Sequence, residues 1–485
     1  MTTDASSSSS PPLADAAVVA SDGRDWWGVV WFALGAVAGA HRLSDNSFLT
    51  HLATGRLLLD HGAPRVDPYS FTAAGRPWVV QSWLFSLVEA GLERVAGPWA
   101  IRWLFGLVLG ALAALVWRLS RPAGSLVARA MLTVGAGVVG LGFWNERPQT
   151  FAFALLAVTL VLLIDEHRPI ALAGVFLVWV NVHGSWPIGL LVVGLFMVRR
   201  VIDDRCWGRD AWDPIAASLL GTLAGAALSP YGIELLTFPV RLLGHADVLR
   251  YIVEWRRPEL TDPLTWVFVA QVLVAIWALR RTHSWTWAPL IVVTVLLAAT
   301  SRRNIPLASL VMVPAIAPAL VGIGSTPSGR PLSLRRSGVA VAAIALVAAV
   351  FVATTPSDYD LTPYPTTAVD WMARRGLVAQ QSVHVVAPDY VGNYLEWRYG
   401  PAANVFVDDR AEVFDAAVIG DYAEGLLDDR RPWAEVLDRY RADVVLWPAD
   451  QLLARELRAS SAWHVGHRGG GWIVACRIGS PAVSC

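Results

Sequence analysis

Three polar clusters near the start of an otherwise apolar chain carry residues able to do chemistry. They are Ser44-Asp-Asn-Ser-Phe-Leu-Thr-His-Leu-Ala-Thr-Gly-Arg56, Asp67-Pro-Tyr-Ser-Phe71 and Gly75-Arg-Pro-Trp-Val-Val-Gln-Ser-Trp83. A carboxylate such as Asp45, held near a hydroxyl, is a general base. Further along stand Asn145-Glu-Arg-Pro148, Asn181-Val-His-Gly184, Ser229-Pro-Tyr-Gly232, Val253-Glu-Trp-Arg-Arg-Pro258 and Ser301-Arg-Arg-Asn304. Arginine forks of this kind bind phosphate oxygens in pairs, and more strongly where water is excluded. The chemistry indicated is therefore proton abstraction beside an anion held by cations.

These residues have to be positioned by membrane helices. The chain has 485 residues, 55% of them hydrophobic and 16% charged, which is the composition of a polytopic membrane protein. Formal net charge is zero, which argues against nucleic acid as a partner. All 39 basic side chains are Arg. A spanning helix takes about 20 apolar residues. Runs that meet this lie near 25–41, 98–117, 130–146, 148–165, 169–182, 185–198, 212–228, 264–279, 285–300, 304–322 and 338–354, about eleven in all. The stretch 79–96 carries Glu89, Glu93 and Arg94 and reads as an amphipathic surface helix. Residues 1–23, rich in Ser, Pro and Ala, read as a disordered cytoplasmic N-terminus without a cleavable signal.

Arginine placement gives the orientation. Arg118, Arg121 and Arg129 share one short loop, and Arg199, Arg200, Arg205 and Arg209 another; Arg280 with Arg281, and Arg330, Arg335 and Arg336, make up the rest. An inside N-terminus and eleven spans put all of these in the cytoplasm. The same parity puts the first loop, 42–97, every polar cluster named above and the whole of 355–485 outside. Ionisable groups gathered on one side of a membrane domain tend to line functional cavities.

The tail, 355–485, alternates short apolar runs (382–386, 404–408, 443–447, 472–476) with helical patterns near 365–375, 390–398, 415–427, 433–440 and 449–459. That is the signature of a small α/β domain, here extracytoplasmic. Asp408, Asp409, Arg410 and Glu412 follow one of these runs, where α/β sites often lie, but charged strand ends are more often ordinary solvated loops, and that is the favoured reading. Gly469-Gly-Gly471 reads as a hairpin turn. Cys206, Cys476 and Cys485 show no metal spacing and no disulfide framework, and Cys476 with Cys485 would pair only in an oxidising compartment.

Asp45 after the first span, the Thr50-His-Leu-Ala-Thr-Gly-Arg-Leu-Leu helix and the Gly75-Arg-Pro-Trp…Gln-Ser-Trp83 entry to the surface helix resemble the GT-C fold of membrane glycosyltransferases. The protein-mannosyltransferase-like and bacterial lipid-sugar-dependent members are the nearest in pattern. The resemblance covers residues 25–200 well and the later spans loosely. It implies glycosyl transfer, with inversion, from a polyprenyl-phosphate sugar to an envelope glycan, lipid or protein acceptor at the outer face of the cytoplasmic membrane. Asp45 would be the catalytic base. Arg147, Arg302, Arg303 and His183 would bind the donor phosphate, while His51, Asp67, Glu254 and Trp255 would contact substrate. Members of the superfamily often pair acids in the first loop; here the partner position is Asn46. After the third span the chain offers Glu146 and Gln149. These departures put a divalent metal in doubt without excluding one, and no other cofactor is expected.

Competing readings exist for the same residues. Arg147, Arg302 and Arg303 could snorkel to lipid head groups. Asn181 with His183 could be a helix-packing pair, Asp67 a turn former and Asp45 the N-cap of a loop helix reaching Asp60. For the whole chain the alternatives are a non-catalytic GT-C-like assembly or binding protein working through its tail, and a transporter. Transporters place polar residues at the midplane on broken helices, which this pattern does not.

Overall fold

The computed structural model describes residues 26–166, 168–205, 208–324, 334–356, 358–428, 430–483 and 485. The expected N-terminal tail, Cys206 and Arg330 lie outside them. The first part of the chain is helical: α1 (Trp26–Gly39), α2 (Asn46–His61), α3 (Trp83–Ala96), α4 (Pro98–Leu119), α5 (Leu126–Gly140), α6 (Pro148–Val161), α7 (Pro169–Val182) and α8 (Trp186–Asp204). It continues with α9 (Arg209–Leu228), α10 (Ile233–Gly244), the single turn α11 (Ala246–Leu249), α12 (Pro263–Thr282), α13 (Ala288–Thr300), α14 (Ile305–Ile316) and α15 (Leu334–Thr354). A helix lies on every apolar run read from the sequence.

Five described stretches are long and apolar enough to cross a bilayer: Pro98–Leu119, Pro148–Asp165, Ala211–Leu228, Pro263–Thr282 and Arg302–Leu320. Trp26–Gly39, Leu126–Gly140, Pro169–Val182, Trp285–Thr300 and Val341–Thr354 are shorter apolar helices. Lipid offers no hydrophobic drive for helices to associate, so close backbone approach has to do the work. Gly35 and Gly39 of α1 meet Gly106 and Gly110 of α4 in this way. A Cβ on Gly39 would lie 2.7 Å from the Phe105 carbonyl, and one on Gly35 2.5 Å from that of Leu109. All of α14 is buried, which makes it the centre of the bundle, and the turn Arg302–Asn304 leads directly into it.

The first loop is fixed from both sides. Arg102, buried in α4, donates to the carbonyls of Ala40, just after α1, and of Thr355, just after α15. A cation is favoured at helix C-termini, and here one side chain ties two of them together. Next in the loop, α2 packs on α3 where Gly55 lies against the Ser86 carbonyl with no space for a side chain.

After α15 come α16 (Thr366–Arg374), β1 (Val385–Val386), α17 (Asp389–Tyr399), α18 (Ala416–Asp421), α19 (Trp433–Arg439), β2 (Val444–Pro448), α20 (Leu452–Ala459), β3 (Trp463–Gly469) and β4 (Trp472–Arg477). The sheet order is β1-β2-β4-β3, with β1 parallel to β2 and the other pairs antiparallel. Gly470 and Gly471, at φ 59° and 84°, make the two-residue turn of the β3–β4 hairpin; two positive φ values in succession are the mark of a type I′ turn, which glycine adopts without strain.

Two sequence expectations change here. The run 404–408 is not a strand of this sheet. Val405 instead makes isolated bridges to Val385 and to Ser70 of the first loop, and exchanges backbone hydrogen bonds with Tyr69 and Phe71 at 3.0 and 3.1 Å. The run was apolar because it is clasped between loop and sheet. The sheet takes its fourth strand from 463–469, whose His, Arg and Gly content hid it. The second change concerns Cys476 and Cys485, which are bonded to each other.

A buried ionic knot completes the junction. Arg410 donates to Asp408 at 2.6 Å and to Asp67 of the first loop at 2.6 Å, with Glu396 of α17 3.5 Å away. The Tyr69 and Trp78 rings lie 4.7 and 4.5 Å from its guanidinium carbon.

Candidate functional site

Asp45 begins α2 as its N-cap, accepting the Ser47 N–H at 2.9 Å. The capping residue of the competing reading is thus present, but its carboxylate does more. Arg147, the residue before α6, donates from Nε to both Asp45 oxygens at 2.8 Å, and Asn145 donates to one of them at 2.6 Å. The same guanidinium bonds the Glu254 carboxylate and, at 3.1 Å, the Asn46 amide oxygen. One arginine therefore gathers the first loop, the start of α6 and the loop before α12. Burial pulls the Arg147 guanidinium down, but Asp45 and Glu254 together outweigh it and keep it firmly charged. Burial raises the Asp45 carboxyl above its ordinary value, with Arg147 opposing.

Beside this bridge opens a cavity of ≈ 500 Å³. Arg147, Glu254, Trp255 and Arg303 line one side, and Asp389, Asp409 and Glu412 from the α/β part line the other. A second cavity of ≈ 540 Å³ touches Asp45 from the opposite side, lined also by Asn145, Tyr364 and Tyr390. Asp45 and Arg147 stand as the wall between the two.

Arg303 is the most consequential cation here. It sits over the Trp255 ring at 4.6 Å, and its loop is fixed by the Gln149 amide, which donates to the Arg303 carbonyl at 3.0 Å. The Ser301 hydroxyl donates to the Glu254 carbonyl at 3.0 Å, tying that loop to its neighbour. Among the described residues no carboxylate lies within ion-pair distance of Arg303; its side-chain contact is with His183 Nε2 at 3.4 Å. Burial, with Arg303 beside it, holds the His183 imidazole well below its ordinary range, so it is neutral at pH 7. A half-buried guanidinium facing a cavity, with Glu254 near it but no described carboxylate bonded to it, is a place for an anion.

The structure does not bring all the expected residues together. Arg302 turns away, pairing with Asp262 at 3.1 Å. Asp67 is fully buried in the Arg410 knot and its turn accepts from Tyr69 and Ser70, so it anchors the loop rather than meeting substrate. Asn181 bonds Leu177 and Gly225 carbonyls, the helix-packing role. His51 faces Ser86 at 3.1 Å and a smaller cavity of ≈ 120 Å³; burial pushes it down to about 3.

The tail acids, read from sequence as solvated, are here the far wall of the site. Asp409 accepts the Ser47 hydroxyl, and the Asn393 side chain accepts its N–H at 3.1 Å. Two acids and an arginine directly after Val405-Phe-Val407 were the available signal, since a buried run leaves its next residues at an interface.

A divalent ion placed between Asp45 and Glu254 would have to displace the guanidinium already bonded to both. Among the described residues no three His, Cys, Asp or Glu side chains form a group suited to a metal ion. The residues present do not fit a metal.

By sequence the chain matches no protein-family model and no curated protein. Among solved structures it aligns with the arabinofuranosyltransferase AftD from Mycobacteria at a TM-score of 0.51 and 13% identity, over 94% of this chain and 40% of that one. The chain has the GT-C fold. The archaeal oligosaccharyltransferase AglB from Archaeoglobus fulgidus, in complex with an inhibitory peptide and a dolichol-phosphate, aligns at a TM-score of 0.49 and 10% identity, over 87% of this chain and 69% of that one. At 13% identity the AftD alignment shows the fold alone.

Proposed function

We propose that this protein transfers a sugar from a polyprenyl-phosphate carrier to an acceptor at the outer face of the cytoplasmic membrane. The observation that carries the reading is the unpaired Arg303 beside Arg147 on a cavity roofed by the α/β part. A lipid phosphate bonds the guanidinium that no described carboxylate reaches, and the two guanidiniums receive the further charge that develops as it leaves. No acid is needed, because phosphate is already a good leaving group. Trp255, under Arg303, offers an aromatic face to the sugar.

The orientation rests on eleven crossings. The Arg-rich loops then face the cytoplasm, and the site, the α/β domain from 355 onward and the Cys476–Cys485 bond face an oxidising outside. Asp45 belongs to the site in this reading through Arg147, whose guanidinium it orients, and as a negative charge near an oxocarbenium-like centre.

The test is transfer by the purified protein in lipid nanodiscs from radiolabelled polyprenyl-phosphate sugars to a panel of envelope acceptors. Transfer is expected, and Arg303→Gln is expected to lower kcat/KM about 100-fold. Arg302→Gln, whose side chain is turned to Asp262, is expected to stay close to wild type. Equal loss in the two variants, or none in either, would count against the assignment.

A further inference from the structure

Each oxygen of Asp45 already carries donors: Arg147 on both, Asn145 on one and Ser47 on the other. For Asp45 to take a proton, the bridge that holds Arg147 would have to open. Asp409 is placed differently. It lines the same cavity, one oxygen accepts the Ser47 hydroxyl, and among the described residues no cation lies within ion-pair distance of it. Asn393 of α17 fixes its backbone at 3.1 Å.

We infer that Asp409, supplied by the α/β part of the chain, is the catalytic residue that accepts the acceptor's proton; this rests on the glycosyl-transfer reading. The acceptor hydroxyl gives its proton to the Asp409 carboxylate as its oxygen bonds to the anomeric carbon. The bond from that carbon to the phosphate oxygen breaks, and its electron pair leaves with the phosphate, beside Arg303 and Arg147. Donor and acceptor thus approach from opposite walls, cationic on the helical side and acidic on the other. An acidic wall repels anionic acceptors, so the acceptor class is a neutral hydroxyl compound.

Burial pushes the Asp409 carboxyl up to about 7, with Asp389 adding to the rise and Arg147 opposing it. Facing it are His51 from α2, Asp389 from α17, Arg147 before α6, Tyr364 before α16, and Glu254 and Arg303 across the cavity, with Glu412 three residues on along its own segment. On its own segment Asp408 and Arg410 are locked to each other. The working form is the carboxylate, so activity is lost as pH falls through about 7 and levels off above it.

The experiment measures kcat, donor KM and pH profile of the full-length protein in nanodiscs with the donor and acceptor found above. Asp409→Asn is expected to lose about 100-fold in kcat with donor KM little changed, and to lose the acidic limb of the profile. Asp409→Glu is expected to recover part of the rate with a shifted limb. Should the Asn variant fail to fold, Ser47→Ala carries the test, since removing that hydroxyl is expected to displace the limb upward. Asp409→Asn with wild-type kcat and limb, or a limb abolished by Asp45→Asn alone, overturns the assignment and leaves the transferase reading standing. No transfer by the wild-type protein from any lipid-phosphate sugar overturns both.

Discussion

Arg410→Leu is expected to cost about 3–5 kcal/mol, because it leaves buried carboxylates without their cation. Asp67 and Asp408 each bond the guanidinium at 2.6 Å and are fully buried in the side chain. Since Asp67 sits in the first loop and Asp408 in the α/β part, the loss falls on the junction between them. The Tyr69 and Trp78 faces would lose their stacked cation as well. Thermal unfolding should drop, and limited proteolysis should newly cut near residues 62–78, while the helical bundle stays intact. Unchanged melting and protease resistance would mean that Val405 and its neighbours hold the junction alone. Glu396 adds a pH dependence. Burial, with Asp408 next in weight, raises its carboxyl well above the ordinary value. The folded chain therefore keeps a proton that the unfolded chain releases above about pH 4.3. Stability from this group is greatest at low pH and declines as pH rises from there.

Arg147→Ala is expected to lower transfer about 100- to 1000-fold, the larger effect on activity. The substitution removes the bonds to Asp45, Glu254 and Asn46 together, and leaves two carboxylates facing across the gap. Its cost in stability should be smaller than at Arg410, because Glu254 retains 32% side-chain exposure and water can reach it. Arg147→Lys keeps the charge but has no planar fork to span three partners. It should restore little of the rate. Steady-state kcat/KM, with melting temperature measured alongside, separates the two effects. Near wild-type activity in Arg147→Lys would show that only the charge matters there.

The membrane helices were legible because bilayer spanning imposes a length and a polarity that any sequence must show. Asp45, Arg147, Glu254, Trp255 and Arg303 were legible as polar exceptions to that rule, and they do meet beside one cavity wall. Arg302 was not separable from Arg303 by sequence. Adjacent residues on a single turn point different ways, and that direction is set by Gln149 and Asp262, far off in the chain. Asp67 misled for a related reason: a buried acid with a distant arginine looks the same in sequence as one that meets substrate. The acids of 408–412 read from sequence as a solvated strand end in preference to a site because their partners are in the first loop, more than 300 residues away in the case of Asp67 and Ser47. A polar residue after an apolar run can face water or another part of the chain, and only the tertiary fold decides which.

The claim on which the account turns is that Arg303 waits for a lipid phosphate. Native mass spectrometry of the purified wild-type protein and of Arg303→Gln, each titrated with a polyprenyl phosphate and with the matching polyprenol, tests it directly. The wild-type protein should prefer the phosphate by at least about tenfold, the scale of a charge-assisted hydrogen bond, and Arg303→Gln should lose that preference. Equal binding of phosphate and alcohol by the wild type, or a preference that survives in Arg303→Gln, would contradict the account.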